Sequence, residues 1–278
     1  MEDTRNSRLV ALALENARRL CIPASVGQFD KRQYHGAVRE QPRAVADAPS
    51  LSLIFLAYNE EASLASVVED AVDYAKRRLR DWEIVLVDDG SSDDTPGIAD
   101  QLSAREPRIR VVTHPVNQGM GAGMASGIRA ASKDYLVFLP ADGQTPIDAI
   151  DRMVPLLAEA DIAVTTYDNR RHSLVRIGLS AGLRAYMRVL ADIRFALEGL
   201  YLFPVKPAQA IADDIRAATF FYSFELIDRG MARGLTVAAT TMRCLPRTTG
   251  SSKVANLRRI VRVGREVARY AARKRLGL

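Results

Sequence analysis

The chain has 278 residues, 48% hydrophobic and 26% charged, a composition that excludes a disordered or fibrous protein and suffices for one large α/β domain or two small ones. Its two cysteines, Cys21 and Cys244, are far apart in sequence, which excludes a disulfide framework or a cysteine-spaced metal site and fits a reducing compartment. The net charge of +6 is concentrated in one segment: Lys253 to Leu278 holds nine basic residues against Glu266, or +8, leaving −2 for the other 252 residues. A nucleic-acid-binding domain more often spreads Lys and Arg over a folded face, so no nucleic-acid partner is expected.

Residues 1–50 read as an N-terminal extension. It carries a helical period at Arg8 to Leu20 and a polar stretch from Pro23 to Pro49, with no signal-peptide pattern. After Pro49 the pattern changes. Apolar strand-like runs at Leu51–Ala57, Glu83–Val87, Ile109–Thr113, Tyr135–Leu139 and Asp161–Thr166 alternate with amphipathic segments near Ala62–Leu79, Thr95–Ala104, Gly121–Ala131 and Pro146–Ala158. Such alternation predicts βαβ units and a mainly parallel sheet buried on both faces. The alternation ends after Tyr167. A long amphipathic stretch follows (Ser173–Ala196), then a short apolar piece (Gly199–Val205), a helix (Thr219–Arg233), a strand (Thr236–Met242) and the basic tail. The longest apolar segment, Leu183 to Val205, is interrupted by five charged residues, so no membrane span is predicted.

Polar residues gather where strands end. The first strand runs into Ala57-Tyr58-Asn59-Glu60, side chains suited to a nucleotide base or ribose, or alternatively to capping a helix. The second delivers Asp88 and Asp89, followed by Gly90-Ser91-Ser92-Asp93-Asp94-Thr95, to the carboxyl edge of the sheet. Open α/β sheets bind ligands in the crevice outside those ends. The third leads into a loop with Asn117 and Gly119 ahead of Gly121, Gly123 and Gly127. These glycines form a loose dinucleotide fingerprint, set aside because it follows the third strand instead of the first. The fourth ends in Pro140-Ala141-Asp142-Gly143-Gln144, where a carboxylate and an amide offer oxygen to a hard divalent cation.

The order of these pieces, AYNE, VDDGSSDDT, NQGMGAGMASG and an aspartate-bearing turn after the fourth strand, resembles the inverting glycosyltransferases of family 2 with the GT-A fold. Within that family the resemblance is greatest to the polyprenyl-phosphate sugar synthases, and it covers about Leu51 to Lys253. It implies a Rossmann-like α/β domain over 51–253 and a UDP- or GDP-sugar donor held by Ala57, Tyr58, Asn59, Glu60, Asp88 or Asp89, Asn117, Gly119 and Asp142. It also implies Mg2+ or Mn2+ on the diphosphate through Asp142 and Gln144. The family usually has Asp where this chain has Pro140, so the expected metal site is weakened.

The resemblance further assigns the acceptor phosphate to Arg170, Arg176, Ser180, Arg247 and Lys253. Arg176 and Ser180 are four apart, hence on one helix face. Arg247-Thr248-Thr249-Gly250-Ser251-Ser252-Lys253 matches the family's Arg-any-any-Gly-any-Ser-Lys pattern. The implied reaction is inverting transfer from a nucleotide sugar to a polyprenyl phosphate, with Asp142, Arg247 and Lys253 offsetting the charge of the leaving diphosphate. A phosphate acceptor is already ionised and needs no general base. His114 and His172 are accordingly read as structural or surface residues. The tail, 254–278, has the pattern of a basic amphipathic helix, suited to an anionic membrane surface or to packing against the core. The expected location is peripheral, at the cytoplasmic face of the membrane. Two alternatives are a hydroxyl acceptor, with Glu198 or Asp192 as base, and a catalytically degenerate sugar-nucleotide-binding protein, suggested by Pro140.

Overall fold

The computed structural model describes residues 49–143, 145–168, 174–243 and 257–277. The predicted alternation is present: β1 (Leu51–Ala57), α1 (Leu64–Arg78), β2 (Trp82–Asp88), α2 (Thr95–Arg105), β3 (Ile109–Thr113), α3 (Met120–Ala130) and β4 (Tyr135–Pro140). A helical stretch then centres on the short α4 (Ile150–Met153), flanked by 3-10 turns, and leads to β5 (Ile162–Tyr167). The second half holds α5 (Leu174–Ala191), β6 (Tyr201–Pro204), α6 (Val205–Ala212), α7 (Phe221–Ala232), β7 (Val237–Met242) and α8 (Leu257–Arg275).

The seven strands form one sheet in the order β3-β2-β1-β4-β6-β5-β7. All pairings are parallel except those of β6, which runs antiparallel to both β4 and β5. This is the expected α/β, GT-A-type architecture. Strand order reverses between β1 and β4, which opens a crevice at their carboxyl ends.

The central strands read as unbroken apolar runs because helices cover both faces. Successive residues serve opposite cores. Ile54, Val85, Val87 and Phe138 join α3 and α5 through α8 on one face. Leu53, Phe55, Ile84, Leu86, Val137 and Leu139 join α1, α2 and α4 on the other. A slip of one residue in any of these strands would exchange the two faces, so register is strongly specified. Some of the buried polar side chains form hydrogen-bonded networks away from the site. Glu83, at the start of β2, accepts from the Ser52 hydroxyl at 2.6 Å and the Ser132 hydroxyl at 2.9 Å, far from the carboxyl ends of the strands.

The tail helix is part of this core. Val263, Val267, Tyr270 and Ala271 of α8 are buried on the α3 face. Tyr270 donates to Asp228 Oδ2 at 2.5 Å, and Lys274 reaches the same oxygen at 2.6 Å. No described helix is long and apolar enough to cross a membrane. The extension at 1–50 lies outside the described residues apart from its last two.

Candidate active site at the carboxyl edge of the sheet

Register places the predicted donor residues side by side. Ala57 at the end of β1 pairs with Asp88 of β2, and Leu56 pairs with Pro140 of β4. The loops carrying Tyr58-Asn59-Glu60, Asp88-Asp89 and Asp142 therefore leave three adjacent strands at the reversal point. Loop 58–63 is tied to loop 91–95 by hydrogen bonds between backbone and side chain. The Asn59 and Glu60 amides donate to the Ser91 and Thr95 hydroxyls at 3.0 and 2.9 Å, and the Ser92 amide donates to Asn59 Oδ1 at 2.9 Å. Asn59 occupies the left-handed region at φ 55°, which asparagine tolerates better than most residues. Its side chain is committed to the partner loop, while Tyr58 is left 41% exposed on the rim.

The two adjacent aspartates differ sharply. Asp89 is engaged within the chain: its carboxylate accepts from the Gln118 and Gly119 amides at 2.9 and 2.8 Å and faces His114 Nδ1 at 2.8 Å. It thus shapes the loop that precedes α3. Gly119 is needed there because its φ is +91°. Asp88 is 2% exposed. Its Oδ1 accepts from the Ser91 amide at 3.1 Å, but Oδ2 has no hydrogen-bond partner. A buried carboxylate oxygen without a partner costs about 1–3 kcal/mol or more, so Asp88 is the less explicable of the pair as a structural residue. Asp93, in the same loop, is held below the usual carboxylate range: desolvation pushes it up, and hydrogen bonds from Thr95 and neighbouring amides outweigh that.

His114 is engaged at both ring nitrogens, with Nε2 2.9 Å from the Ser126 hydroxyl in addition to the Nδ1 contact with Asp89. His172 lies outside the described residues. Asp142 is half-buried just beyond β4, and Pro140 is exposed. Among the described residues no three His, Cys, Asp or Glu side chains gather as a metal cluster. Gln144 lies outside the described residues.

On the same sheet edge, β6 runs backwards, so the residues before it reach the rim. Ser180 of α5 and Glu198 line one pocket of about 390 Å³ with Arg184, Met187, Phe220 and Phe224. Arg184 meets Glu198 Oε1 at 3.3 Å. Sequence reasoning missed Arg184, although its position four residues after Ser180 puts it on the same helix face. Asp192 does not line this pocket. It pairs with Arg194 at 2.6 Å on the surface. Of the predicted acceptor-phosphate residues, Arg176 lies on α5 but its side chain is outside the described residues, as are Arg170, Arg247 and Lys253.

The family model for Glycosyl transferase family 2 matches residues 52–204, from β1 to the end of β6. The chain belongs to glycosyl transferase family 2. It is similar to the glycosyltransferase AglD of Haloferax volcanii, 25% identical over 243 residues, covering 83% of this chain and 38% of the relative. A dolichyl-phosphate beta-glucosyltransferase of Trichomonas vaginalis is 37% identical over 103 residues, covering 35% of this chain and 32% of the relative. The chain thus spans between three and four tenths of the length of these relatives. The fold matches glucosyl-3-phosphoglycerate synthase from Mycobacterium tuberculosis, solved with Mn2+, UDP and phosphoglyceric acid, at a TM-score of 0.59 and 21% identity, covering 83% of this chain and 79% of that one.

Proposed function

We propose that the protein transfers a sugar from a UDP- or GDP-sugar to a polyprenyl phosphate, with inversion, as a peripheral enzyme at the cytoplasmic face of the membrane. The observation that carries this reading is the strand register that lines up Ala57, Asp88 and the Pro140–Asp142 turn at the reversal point, in a family whose relatives include a dolichyl-phosphate glucosyltransferase. Asp88 and Tyr58 contact the nucleoside, Asp89 holds the 114–119 loop in place, and Ser180 with Arg184 receives the acceptor phosphate. Arg170, Arg176, Arg247 and Lys253 complete the cationic set. Guanidinium groups suit phosphate because they bind it bidentately.

The acceptor attacks the anomeric carbon through an oxygen that is already anionic, so no proton is removed. That agrees with His114 being spent on Asp89 and Ser126. A divalent cation fits the donor set at the fourth strand: Asp142 gives one carboxylate, and diphosphate oxygens and water commonly supply the rest. Mg2+ or Mn2+ held by Asp142 and Gln144 would offset charge on the departing diphosphate. The Pro140 side chain contributes no ligand atom where an aspartate would, which makes the site a weak one. Pro140→Asp should raise Mn2+ affinity in a direct titration; an unchanged affinity would remove the metal from this position.

Thin-layer separation of radiolabelled product tests the reading as a whole. Sugar should appear on a polyprenyl phosphate, and Asp88→Asn should lower donor affinity at least tenfold while the protein stays folded. A second reading, a hydroxyl acceptor, draws on Glu198 lining the acceptor pocket as a base. Turnover with a soluble hydroxyl acceptor and none with polyprenyl phosphate would establish it. Donor binding without turnover on either would mean a degenerate binding protein.

A further inference from the structure

The arginines of α8 do not simply point outwards. Arg262, Arg265, Arg269 and Arg273 converge with Arg216, from the segment before α7, on one concavity of about 660 Å³. The volume suits a nucleotide-sized molecule. Ala217, Ala218 and Val261 also line it, and Glu266 is the one acid on its wall among the described residues. Five arginines thus line the concavity against one carboxylate among the described residues that line it.

That carboxylate is already committed. Glu266 accepts from the Ala218 amide at 3.1 Å and the Thr219 hydroxyl at 2.5 Å, and its ion pair with Arg262, the one it makes among the described residues, is loose at 3.7 Å. Arg273 has a partner in Glu225 at 3.3 Å. Arg216, Arg265 and Arg269 have no carboxylate partner among the described residues, and all three are exposed. Like charges held close in a concave wall repel one another and focus a positive potential into the space between them. The arrangement is favourable when an anion bearing several charges fills that space. Planar forks from two elements suit phosphate oxygens in particular.

We infer that this pocket between α8 and the 216–218 segment is a second anion site that binds a molecule carrying two or more phosphates; none of the donor or acceptor residues named above lines it, although its Ala218 carbonyl accepts from the Gly121 amide at 3.2 Å, just past the donor loop. The same chemistry is offered by a free polyphosphate and by a phosphorylated lipid headgroup. The inference does not rest on the acceptor assigned above.

The test is calorimetric titration of the full chain with inorganic tripolyphosphate at low salt. Arg216→Ala and Arg265→Ala should each weaken binding on the order of tenfold, the loss expected for one charge-assisted contact, and the double variant should weaken it further. Asp88→Asn, at the rim, should leave it unchanged. Binding that survives both arginine substitutions, binding that falls with Asp88→Asn alone, or no binding by the wild type would each overturn the site. Co-sedimentation with phosphatidylcholine vesicles, with and without a phosphoinositide bisphosphate, separates the two sources. If the bisphosphate enhances binding and Arg216→Ala removes the enhancement, the ligand is a headgroup. If tripolyphosphate binds and the vesicles show no enhancement, it is a soluble anion.

Discussion

Gly121 and Gly264 both sit in helices, yet substitution should move stability in opposite directions. A Cβ on Gly121 would fall 2.2 Å from the Ala217 carbonyl oxygen, a backbone atom with little room to yield. Gly121→Ala should cost about 1–3 kcal/mol through overpacking, seen as a lower urea midpoint at unchanged slope. Gly264 has nothing within 4 Å of an added Cβ. Gly264→Ala should stabilise α8 by about 0.5–1 kcal/mol. Glu225 gives a pH test. Burial raises its pKa above the usual carboxylate range, although Arg229 and Arg273 pull it down. A carboxyl group raised in the folded state adds stability that is fully present below its unfolded pKa and is lost as pH rises through the folded value. The stability advantage of the wild type over Glu225→Gln should therefore be greatest at acid pH and decline through that window, measured by melts at stepped pH.

Among elements, α8 differs most between its sequence pattern and its place in the fold. Its apolar stripe is used by α5 and α7, through Val263, Val267, Tyr270 and Ala271. Truncation after Lys253 should therefore uncover the core and abolish a cooperative melt, so it cannot isolate a membrane contact. Ile260→Glu is the better probe, because Ile260 is 40% exposed. It should reduce vesicle binding with little change in melting temperature. Periodicity located the helix but could not choose between lipid and core, because both select the same stripe. Elsewhere β1 and β3 were legible to the residue: β1 is an almost wholly buried and largely apolar run, and edge strand β3 is a short β-branched run bounded by Pro107 and Pro115. The helix α6 was not. It has eight residues with Pro207 in its first turn, and it follows β6 directly, so no polar turn marks the boundary.

At the scale of the whole molecule, the motif order identified the rim because each strand-end motif is contiguous in sequence. The division of labour between the aspartates was not legible. It depends on Asp89 meeting amides 29 and 30 residues away and Asp88 meeting none of them. Asp89→Ala should thus loosen the 114–119 loop, detectable as faster amide exchange there, whereas Asp88→Asn should leave that exchange unchanged. The Ser180–Arg184–Glu198 pocket was legible only in part, because β6 reverses direction and brings residues to the rim ahead of the strand.

The docking of α8 also limits how this protein can hold a bilayer. With Val263, Val267, Tyr270 and Ala271 turned inwards, the helix can offer lipid its charges and little apolar surface beyond Ile260 and Val261, and charge at a wet surface is screened by added ions. Bound protein should then wash off vesicles in concentrated sodium chloride without detergent, as an adsorbed protein does and an inserted one does not.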